Sequence, residues 1–181
     1  VDAGPEMFGG LLRGVRTAVV LPDELADLGR LVAALRAHRV TRLTVVPSLL
    51  AALVRASGGL GAALPLLRTW VSSGEALSPA LLAAFRASHP AATLVNLYGS
   101  TEVTGDVTAA VFPPGVPLPD GDVPIGSALG GATLRVLDAR GDAVADGETG
   151  ELYVSGPLLA RGYHRRPNEE AIRFVQRPER A

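Results

Sequence analysis

Residues whose side chains could bind a nucleotide lie together in one short stretch, Asn96-Leu97-Tyr98-Gly99-Ser100-Thr101-Glu102. The flat ring of Tyr98 could stack on a base, and the two hydroxyls that follow could donate hydrogen bonds to phosphate oxygens. The carboxylate of Glu102 could hold Mg²⁺, which prefers oxygen ligands. These residue types alone leave two interpretations open, a nucleotide-binding site or a capped turn at the end of a strand.

The hydrophobic pattern predicts the elements that must position this stretch. Apolar runs of strand length occur at residues 17–21, 43–46, 69–72 and 93–97. Helical spacing begins at Leu25, for which Asp23 is the expected N-cap, and further helices are predicted at residues 48–56 and 79–89, the latter capped by Ser78. Strands that alternate with helices favour an α/β fold with a mostly parallel sheet and flanking helices, which binds ligands at the carboxyl ends of its strands.

The second part of the sequence has a different character. Residues 113–124 are rich in Pro, Gly and Asp, which is typical of a linker. Strands are predicted at residues 133–137 and 151–154, joined through a hairpin-like turn that begins at Asp138, and a short helix at residues 167–174. We therefore expect a partial α/β subdomain at residues 1–112, and a linker with a partial, small β-barrel-like subdomain at residues 113–181.

The composition narrows the chemistry. All seventeen basic residues are Arg, so the segment offers no lysine for phosphate binding, Schiff-base formation or general-base catalysis. Cysteine is absent, which excludes disulfides and thiolate chemistry here and agrees with a reducing, cytoplasmic location. The net charge of −1 gives no reason to expect a nucleic-acid or membrane-surface partner, and the apolar runs are too short to span a bilayer.

Three motifs occur in the order of a known family and cover nearly the whole chain. The stretch from Asn96 to Glu102 resembles the N-x-Y-G-P-T-E motif of adenylate-forming enzymes, with Ser100 at the usual proline position. That superfamily comprises acyl-CoA synthetases, luciferases and the adenylation domains of nonribosomal peptide synthetases. Residues 150–156 and 159–163 read GELYVSG and LARGY, which is similar to a motif of the amino-acid-activating branch. Glu6-Met7-Phe8 resembles the element that opens the amino-acid pocket of that branch.

The resemblance implies a role for each matching residue. Tyr98 would stack on adenine and Asn96 would hydrogen-bond the adenine edge. Thr101 would contact the α-phosphate of ATP and Glu102 would hold Mg²⁺, which makes these two the expected catalytic residues. The implied reaction is attack of a substrate carboxylate on the α-phosphorus of ATP, with release of pyrophosphate. The implied nucleotide-binding set is Gly74, Glu75, Ala76, Asn96, Tyr98, Gly99 and Thr101.

The same resemblance implies partners and further parts. The acyl-adenylate would pass to the phosphopantetheine thiol of a peptidyl carrier protein, in a parent synthetase that also holds a condensation domain. The phosphate loop of the family would precede Val1, whereas its ribose-binding Asp and its catalytic Lys would follow Ala181. We therefore expect the sequence to be a segment of a longer chain, and the segment alone to be inactive.

The amino-acid pocket follows from the same resemblance. Pockets for α-amino acids usually have an Asp where Val1 stands, and here the Asp comes one position later, at Asp2. This arrangement resembles pockets for β-amino acids, β-alanine above all, whose ammonium lies one methylene further from the carboxylate. An unpaired buried charge costs ~2–5 kcal/mol, more than the ~1–3 kcal/mol of a methylene, so charge placement should govern selection. The implied pocket residues are Val1, Asp2, Pro5, Ser48, Val71, Ser73, Leu97, Gly105 and Asp106.

Other interpretations remain open. An acyl-CoA synthetase-type ligase belongs to the same superfamily, but its pocket would lack the paired carboxylates of Asp2 and Asp106. A third alternative is a nucleotide-binding or structural remnant that does no chemistry. The presence of both Thr101 and Glu102 argues against it, since a purely structural turn has no need of both. Asp106 could also simply cap the strand that follows it. Trp70 is expected to pack in the core, and capping or exposed positions are expected for the histidines, His38, His89 and His164.

Overall fold

The main feature of the computed structural model, which describes residues 3–175, is a five-stranded sheet. Its strands lie in sequence order, β1 Arg42–Val45, β2 Thr69–Ser72, β3 Thr93–Ser100, β4 Gly105–Phe112 and β5 Ser127–Ala128. Strands β1, β2 and β3 are parallel, whereas β4 and β5 run antiparallel to their neighbours. The α/β class is confirmed. The sheet is mixed, and the predicted parallel arrangement holds for its first three strands.

The α-helices are α1 Ala3–Leu12, α2 Leu28–Ala37, α3 Pro47–Ala56, α4 Leu60–Ala63, α5 Pro79–Ser88 and α6 Pro167–Arg173. Four of the α-helices, α2, α3, α5 and α6, begin with a capping side chain, a first-turn proline or both. Ser78 caps α5 as predicted, since its hydroxyl accepts from Leu81 N at 3.2 Å. The predicted cap of α2 is wrong. Asp23 lies in a separate 3₁₀ turn, Pro22–Glu24, and it is Asp27 whose carboxylate accepts from Arg30 N at 2.8 Å.

The core lies between one face of the main sheet and helices α3 and α5. Trp70 is fully buried and meets Phe85 edge-to-face at 5.7 Å between ring centroids. Its indole N–H donates to Leu67 O at 3.2 Å, so the one polar atom of the ring is satisfied inside the core. The interpretation of Trp70 as a packing residue is confirmed. The other fully buried side chains of this layer include Leu50, Leu53, Leu82 and Leu94.

Residues 17–21 do not form the predicted strand. The segment has no regular secondary structure, and Val19 is 75% exposed. β-Branched residues favour a strand only where a neighbouring strand offers hydrogen bonds and packing. None of the strands in the described sheets pairs with residues 17–21, so the local preference for β structure has no partner to act on.

The C-terminal part contains a second sheet of two antiparallel strands, β6 Thr133–Leu137 and β7 Glu151–Ser155. Asp138 closes the predicted turn after β6, because its Oδ1 accepts from Arg140 N and Asp142 N, each at 2.9 Å. The strands are nevertheless joined by a long loop, since β7 begins only at Glu151. Helix α6 confirms the predicted short helix. The expected barrel-like unit is thus represented, in the described residues, by these two strands, and the division at residue 112 stays a prediction.

A search of residues 3–175 for helices that could span a membrane found none that is long and apolar enough.

Candidate functional site

The carboxyl ends of β1, β2 and β3 lie side by side at one edge of the main sheet. In the sheet register Val45 lies beside Ser72, and Ser72 lies beside Asn96. The segments that follow these three residues are therefore neighbours: the start of α3, the loop after β2 and the second half of β3. Parallel sheets bind ligands at this edge. It collects most of the described residues that the resemblance assigns to nucleotide and amino acid.

Three predicted pocket residues share the face of the sheet opposite the helix-covered core. Trp70 and Leu94 lie beside each other in the register and belong to the core. Because side chains alternate along a strand, Val71 and Leu97 lie on the other face. Ser73 continues the β2 ladder by one residue, since its N–H donates to Val45 O at 3.3 Å, and it falls on the same face as Val71.

Ser73 and Asp106, both assigned to the pocket, are in direct contact. The Ser73 hydroxyl donates to Asp106 Oδ1 at 3.0 Å, and Ser73 is only 5% exposed. Asp106 lies within β4, opposite Gly99, so it is part of the strand and does not cap it. Among the other assigned pocket residues, Gly105 is buried beside Asp106 and Pro5 lies in α1. Val1 and Asp2 lie outside the described residues.

Ser48 and Glu75 join the two predicted subsites. Ser48 donates twice to the Glu75 carboxylate, from its backbone N–H to Oε2 and from its hydroxyl to Oε1, each at 2.9 Å. Ser48 lies in the first turn of α3, where backbone N–H groups lack helical partners and favour a negative charge. Glu75 therefore caps α3 from a distance in sequence, and the exposed loop Gly74-Glu75-Ala76 is anchored to that helix.

Tyr98 and Asn96 occupy different environments although they lie on the same strand. Tyr98 is 42% exposed, so its ring is accessible to a ligand. Asn96 is 5% exposed, and its side-chain amide donates to Pro124 O at 3.0 Å. Asn96 thereby holds the end of the proline-rich segment against the sheet. This bond uses one of the two N–H groups of the Asn96 amide.

Gly99 lies where β3 and β4 approach closely. A Cβ atom at this position would lie 1.8 Å from Gly105 O and 2.5 Å from Asp106 Cα. The register of the two strands shifts between Tyr98 and Gly99, which is the signature of a β-bulge, a device that re-aims side chains beside functional sites. The lack of a side chain at Gly99 therefore allows β3 and β4 to pair closely at the bulge, between Tyr98 and Asp106.

Glu102 is held by the C-terminal part of the chain. It lies in the 3₁₀ turn Thr101–Val103 that follows β3, where Thr101 is exposed and Glu102 is half-buried. The Tyr163 hydroxyl donates to Glu102 Oε1, and Ala160 N donates to Glu102 O at 2.7 Å. The hydrogen bond from Tyr163, and after it one from Ser100, lowers the pKa of the Glu102 carboxyl. The same bond raises the pKa of Tyr163. Glu102 is thus ionised at neutral pH, the form that binds a cation.

The residues present fit Mg²⁺ as a site that the substrate completes. Within residues 3–175, no group of three or more His, Asp or Glu side chains could hold an ion by itself. Mg²⁺ usually takes one or two carboxylates together with water and phosphate oxygens. The single ionised carboxylate of Glu102 meets that requirement, and the remaining ligands would come from nucleotide and water.

The predicted nucleotide residues do not line either of the two best-formed cavities. Among residues 3–175 the two best-formed cavities measure about 380 and 410 Å³, and neither is lined by residues 73–76 or 96–102. The first lies beside α6 and includes Tyr163 and Arg173 in its lining. Of the side chains assigned to ATP, Tyr98 and Thr101 are exposed and open to a ligand, whereas Asn96 is buried.

Tyr163 is the residue of this site that sequence reasoning missed. Its motif, LARGY at residues 159–163, was recognised, but nothing in the sequence connected it with Glu102, 61 positions earlier. A further link is the hydroxyl of Thr104, which donates to Leu158 O at 2.5 Å. The motif that ends at Glu102 and the motif that ends at Tyr163 are thus in contact. Their contact is visible only in the folded structure, because the sequence separates them widely.

The chain is thus an α/β protein whose parallel strands bring the predicted nucleotide residues to one edge of the sheet. The chain matches the profile of the AMP-binding enzyme family over residues 2–164, and it belongs to that family.

The relatives of the chain include enzymes of nonribosomal peptide synthesis. It is 40% identical to the beta-alanyl-bioamine nonribosomal peptide synthetase ebony of Drosophila melanogaster, over 98% of this chain and 21% of that protein. It is also 40% identical to phosphinothricin tripeptide synthetase PhsB of Streptomyces viridochromogenes, over 96% of this chain and 14% of that protein. The chain therefore spans a small part of the curated relatives that it matches.

A solved structure with the same fold is that of holo-PA1221, an NRPS protein containing adenylation and PCP domains. It superimposes with a TM-score of 0.75 at 30% sequence identity, over 85% of this chain and 26% of that one. The architecture described above is thus that of part of an adenylation domain.

Proposed function

We propose that this chain supplies the adenine-binding side of a site in which ATP and an amino acid form aminoacyl-AMP, with release of pyrophosphate. The observation that carries the proposal is the placement of exposed Tyr98, the anchored loop 74–76 and ionised Glu102 at one sheet edge. Adenine would lie between the Tyr98 ring and the loop. The phosphates would then extend along β3 towards Thr101 and Glu102.

Each residue contributes binding or orientation to the proposed reaction. The exposed hydroxyl of Thr101 can donate to an oxygen of the α-phosphate, where negative charge increases during attack by the carboxylate. When bound, Mg²⁺ would neutralise phosphate charge, and Glu102 is the residue that would hold it. The Glu75 carboxylate keeps the loop 74–76 in place through Ser48, which fixes one wall of the adenine site.

The proposed substrate is a β-amino acid, with β-alanine as the first candidate. Asp106 contacts the face of the sheet that carries Val71, Ser73 and Leu97, here called the pocket face, and its orientation is set by the hydroxyl of Ser73. Its carboxylate would pair the substrate ammonium, together with Asp2. The name of the Drosophila relative, a beta-alanyl-bioamine synthetase, supports this choice. The alternative, an acyl-CoA synthetase-type ligase, would act on an acid that carries no ammonium group, which the carboxylate of Asp106 does not favour.

The aminoacyl group would pass to the phosphopantetheine thiol of a peptidyl carrier protein in a larger synthetase, located in the cytoplasm where ATP is available. The solved structure of an adenylation domain together with a carrier domain supports this partner.

ATP–pyrophosphate exchange in the adenylating protein that contains this sequence tests the proposal. We expect exchange with β-alanine and much less with α-alanine. Asp106→Asn should raise the KM for β-alanine roughly thirtyfold, because a charge pair worth ~2 kcal/mol is lost. Asp146→Asn, at an exposed loop position, is the matched control. Exchange with α-amino acids alone would overturn the substrate, and exchange with no amino acid would overturn the adenylation itself.

A further inference from the structure

Tyr163 is fixed from three directions. Its ring meets Phe174 edge-to-face, at 5.4 Å between centroids and an interplanar angle of 83°. Its backbone N–H donates to Glu170 Oε2 at 3.2 Å, and its hydroxyl donates to Glu102 Oε1. Glu170 belongs to α6 and Phe174 directly follows it. The ring therefore spans the space between α6 and the turn that carries Glu102.

The residue before Tyr163 makes this arrangement possible. Gly162 has a φ of +131°, and a Cβ atom there would lie 2.7 Å from the Glu170 carboxyl. A side chain at this position would be strained by its backbone conformation and would displace Glu170. The glycine thus lets the acceptor for the Tyr163 N–H come close, and α6 holds the ring in one orientation.

We propose that Tyr163 is a positioning residue for Glu102, whose Oε1 it engages so that Oε2 is presented to the metal–nucleotide complex. The inference rests on the proposed function, because only there is Glu102 a metal ligand. Carboxylates that bind metals are commonly oriented by an outer hydrogen-bond donor, and loss of such a donor typically weakens binding or activity 10–100-fold.

The Tyr163 hydroxyl is not needed to attach its segment to the rest of the chain. Ala160 N and Leu158 O already bond to Glu102 O and to the Thr104 hydroxyl. The contact with Phe174 depends on the ring alone. Tyr163→Phe therefore removes the donor to Glu102 and leaves the other attachments of residues 158–163.

The test compares Tyr163→Phe with Tyr153→Phe in the complete adenylating protein. Tyr153 also donates to a glutamate, Glu151, at 3.1 Å, in β7, which makes it the matched control. Binding of Mn²⁺ is measured by electron paramagnetic resonance in the presence of α,β-methylene-ATP, and exchange activity is measured against Mg²⁺ concentration. We expect Tyr163→Phe to weaken Mn²⁺ binding about tenfold and to raise the half-saturating Mg²⁺ concentration similarly. Tyr153→Phe should change neither, and metal-free binding of the nucleotide should stay the same in both.

A double-mutant cycle with Glu102→Gln separates positioning from a structural effect. If Tyr163 acts through Glu102, the Tyr163→Phe change has no further effect on Mn²⁺ binding in the Glu102→Gln background. Wild-type Mn²⁺ binding in Tyr163→Phe, with loss in Glu102→Gln, would overturn the positioning role and leave the proposed function standing. No effect of Glu102→Gln on Mn²⁺ binding or exchange would overturn the metal role of Glu102.

Melting temperatures report whether the variants fold. Should Tyr163→Phe fail to fold, Phe174→Leu takes its place, because it loosens the Tyr163 ring and keeps the hydroxyl. Weakened Mn²⁺ binding in folded Phe174→Leu supports the inference, and unchanged binding overturns it.

Discussion

At the scale of single residues, the candidate site depends on Gly99, a residue without a side chain. Gly99 has no room for a Cβ atom, which would lie 1.8 Å from Gly105 O. The atoms that this Cβ would meet, Gly105 O and Asp106 Cα, belong to the backbone of the paired strand β4. They therefore cannot rotate away as a side chain could. Any larger residue must move β4, and with it Asp106, which is held by Ser73 on the pocket face.

We expect Gly99→Ala to destabilise the adenylating protein by about 1–3 kcal/mol, the usual cost of forcing an extra carbon into a packed place. Exchange activity should fall by more than stability alone explains, because Tyr98 and Asp106 flank the displaced bulge. Gly9→Ala is the control, since a Cβ atom at Gly9 meets nothing within 4 Å. Chemical denaturation and exchange assays measure the two effects. Equal behaviour of the two variants would contradict this reading of Gly99.

The sequence shows which residue types the candidate site offers, but it does not show which other residues they contact. Tyr98, Thr101 and Glu102 follow one another in the sequence, so their chemistry was visible in a single stretch. The contact of Glu75 with Ser48 joins residues 27 positions apart, and no periodicity or turn signal encodes such a pairing. The hydrogen bonds from Ser48 to Glu75 and from Asn96 to Pro124 arise only because the fold brings these distant residues together.

At the scale of elements, helix α3 is capped by a residue that belongs to another connection. Its N-terminus begins with Pro47 after Val46, which offers no capping side chain. Glu75, in the loop after β2, supplies the acceptor to Ser48. The loop 74–76 and helix α3 therefore stabilise each other.

We expect Glu75→Ala to lower stability by about 1 kcal/mol, the typical effect of removing an N-terminal helix cap. It should also raise the KM for ATP several-fold, because the loop 74–76 loses its anchor. Glu24→Ala is the matched control, since Glu24 also accepts a backbone N–H, from Leu21 at 2.7 Å, at the start of a 3₁₀ turn. Thermal denaturation and ATP titrations measure the effects. A change in stability with an unchanged KM would show that the anchor does not serve the nucleotide.

Element bounds were predictable where a local signal sets them. Ser78 and Pro79 start α5 as expected, because a cap and a first-turn proline act within a few residues. Strand β3 runs to Ser100, three residues beyond its predicted end, because β4 pairs with Tyr98, Gly99 and Ser100. The sequence does not predict this extension, because residues 98–100 lack the apolar pattern by which strands are recognised. Residues 17–21 have no partner strand among the described sheets, and without that long-range pairing they stay irregular.

At the scale of the whole molecule, the core stabilises the sheet from the side opposite the predicted pocket residues Val71, Ser73 and Leu97. His89 ends α5 and is only 2% exposed. Its Nε2 lies 3.0 Å from Leu67 O, the same carbonyl that accepts from Trp70. A capping position was expected for this histidine, but its burial was not, because sequence does not show that α4 and the aromatic rings of Trp70 and Phe85 enclose it.

This buried histidine makes stability depend on pH. Desolvation lowers the pKa of His89 below 6.5, and the charge of Arg68 acts in the same direction, although carbonyls of Leu67 and Leu64 oppose it. The unfolded chain then binds more protons than the folded one, so the free energy of unfolding is fully retained above pH ~6.5 and falls as the pH decreases through the window below that value.

His89→Phe should be less stable at pH 7.5, because the bond to Leu67 O is lost, yet its stability should decline less between pH 6.5 and 5. His38→Gln, at an exposed position, should keep the wild-type slope. Urea denaturation at a series of pH values measures all three, and parallel curves for wild type and His89→Phe would assign the decline to other groups.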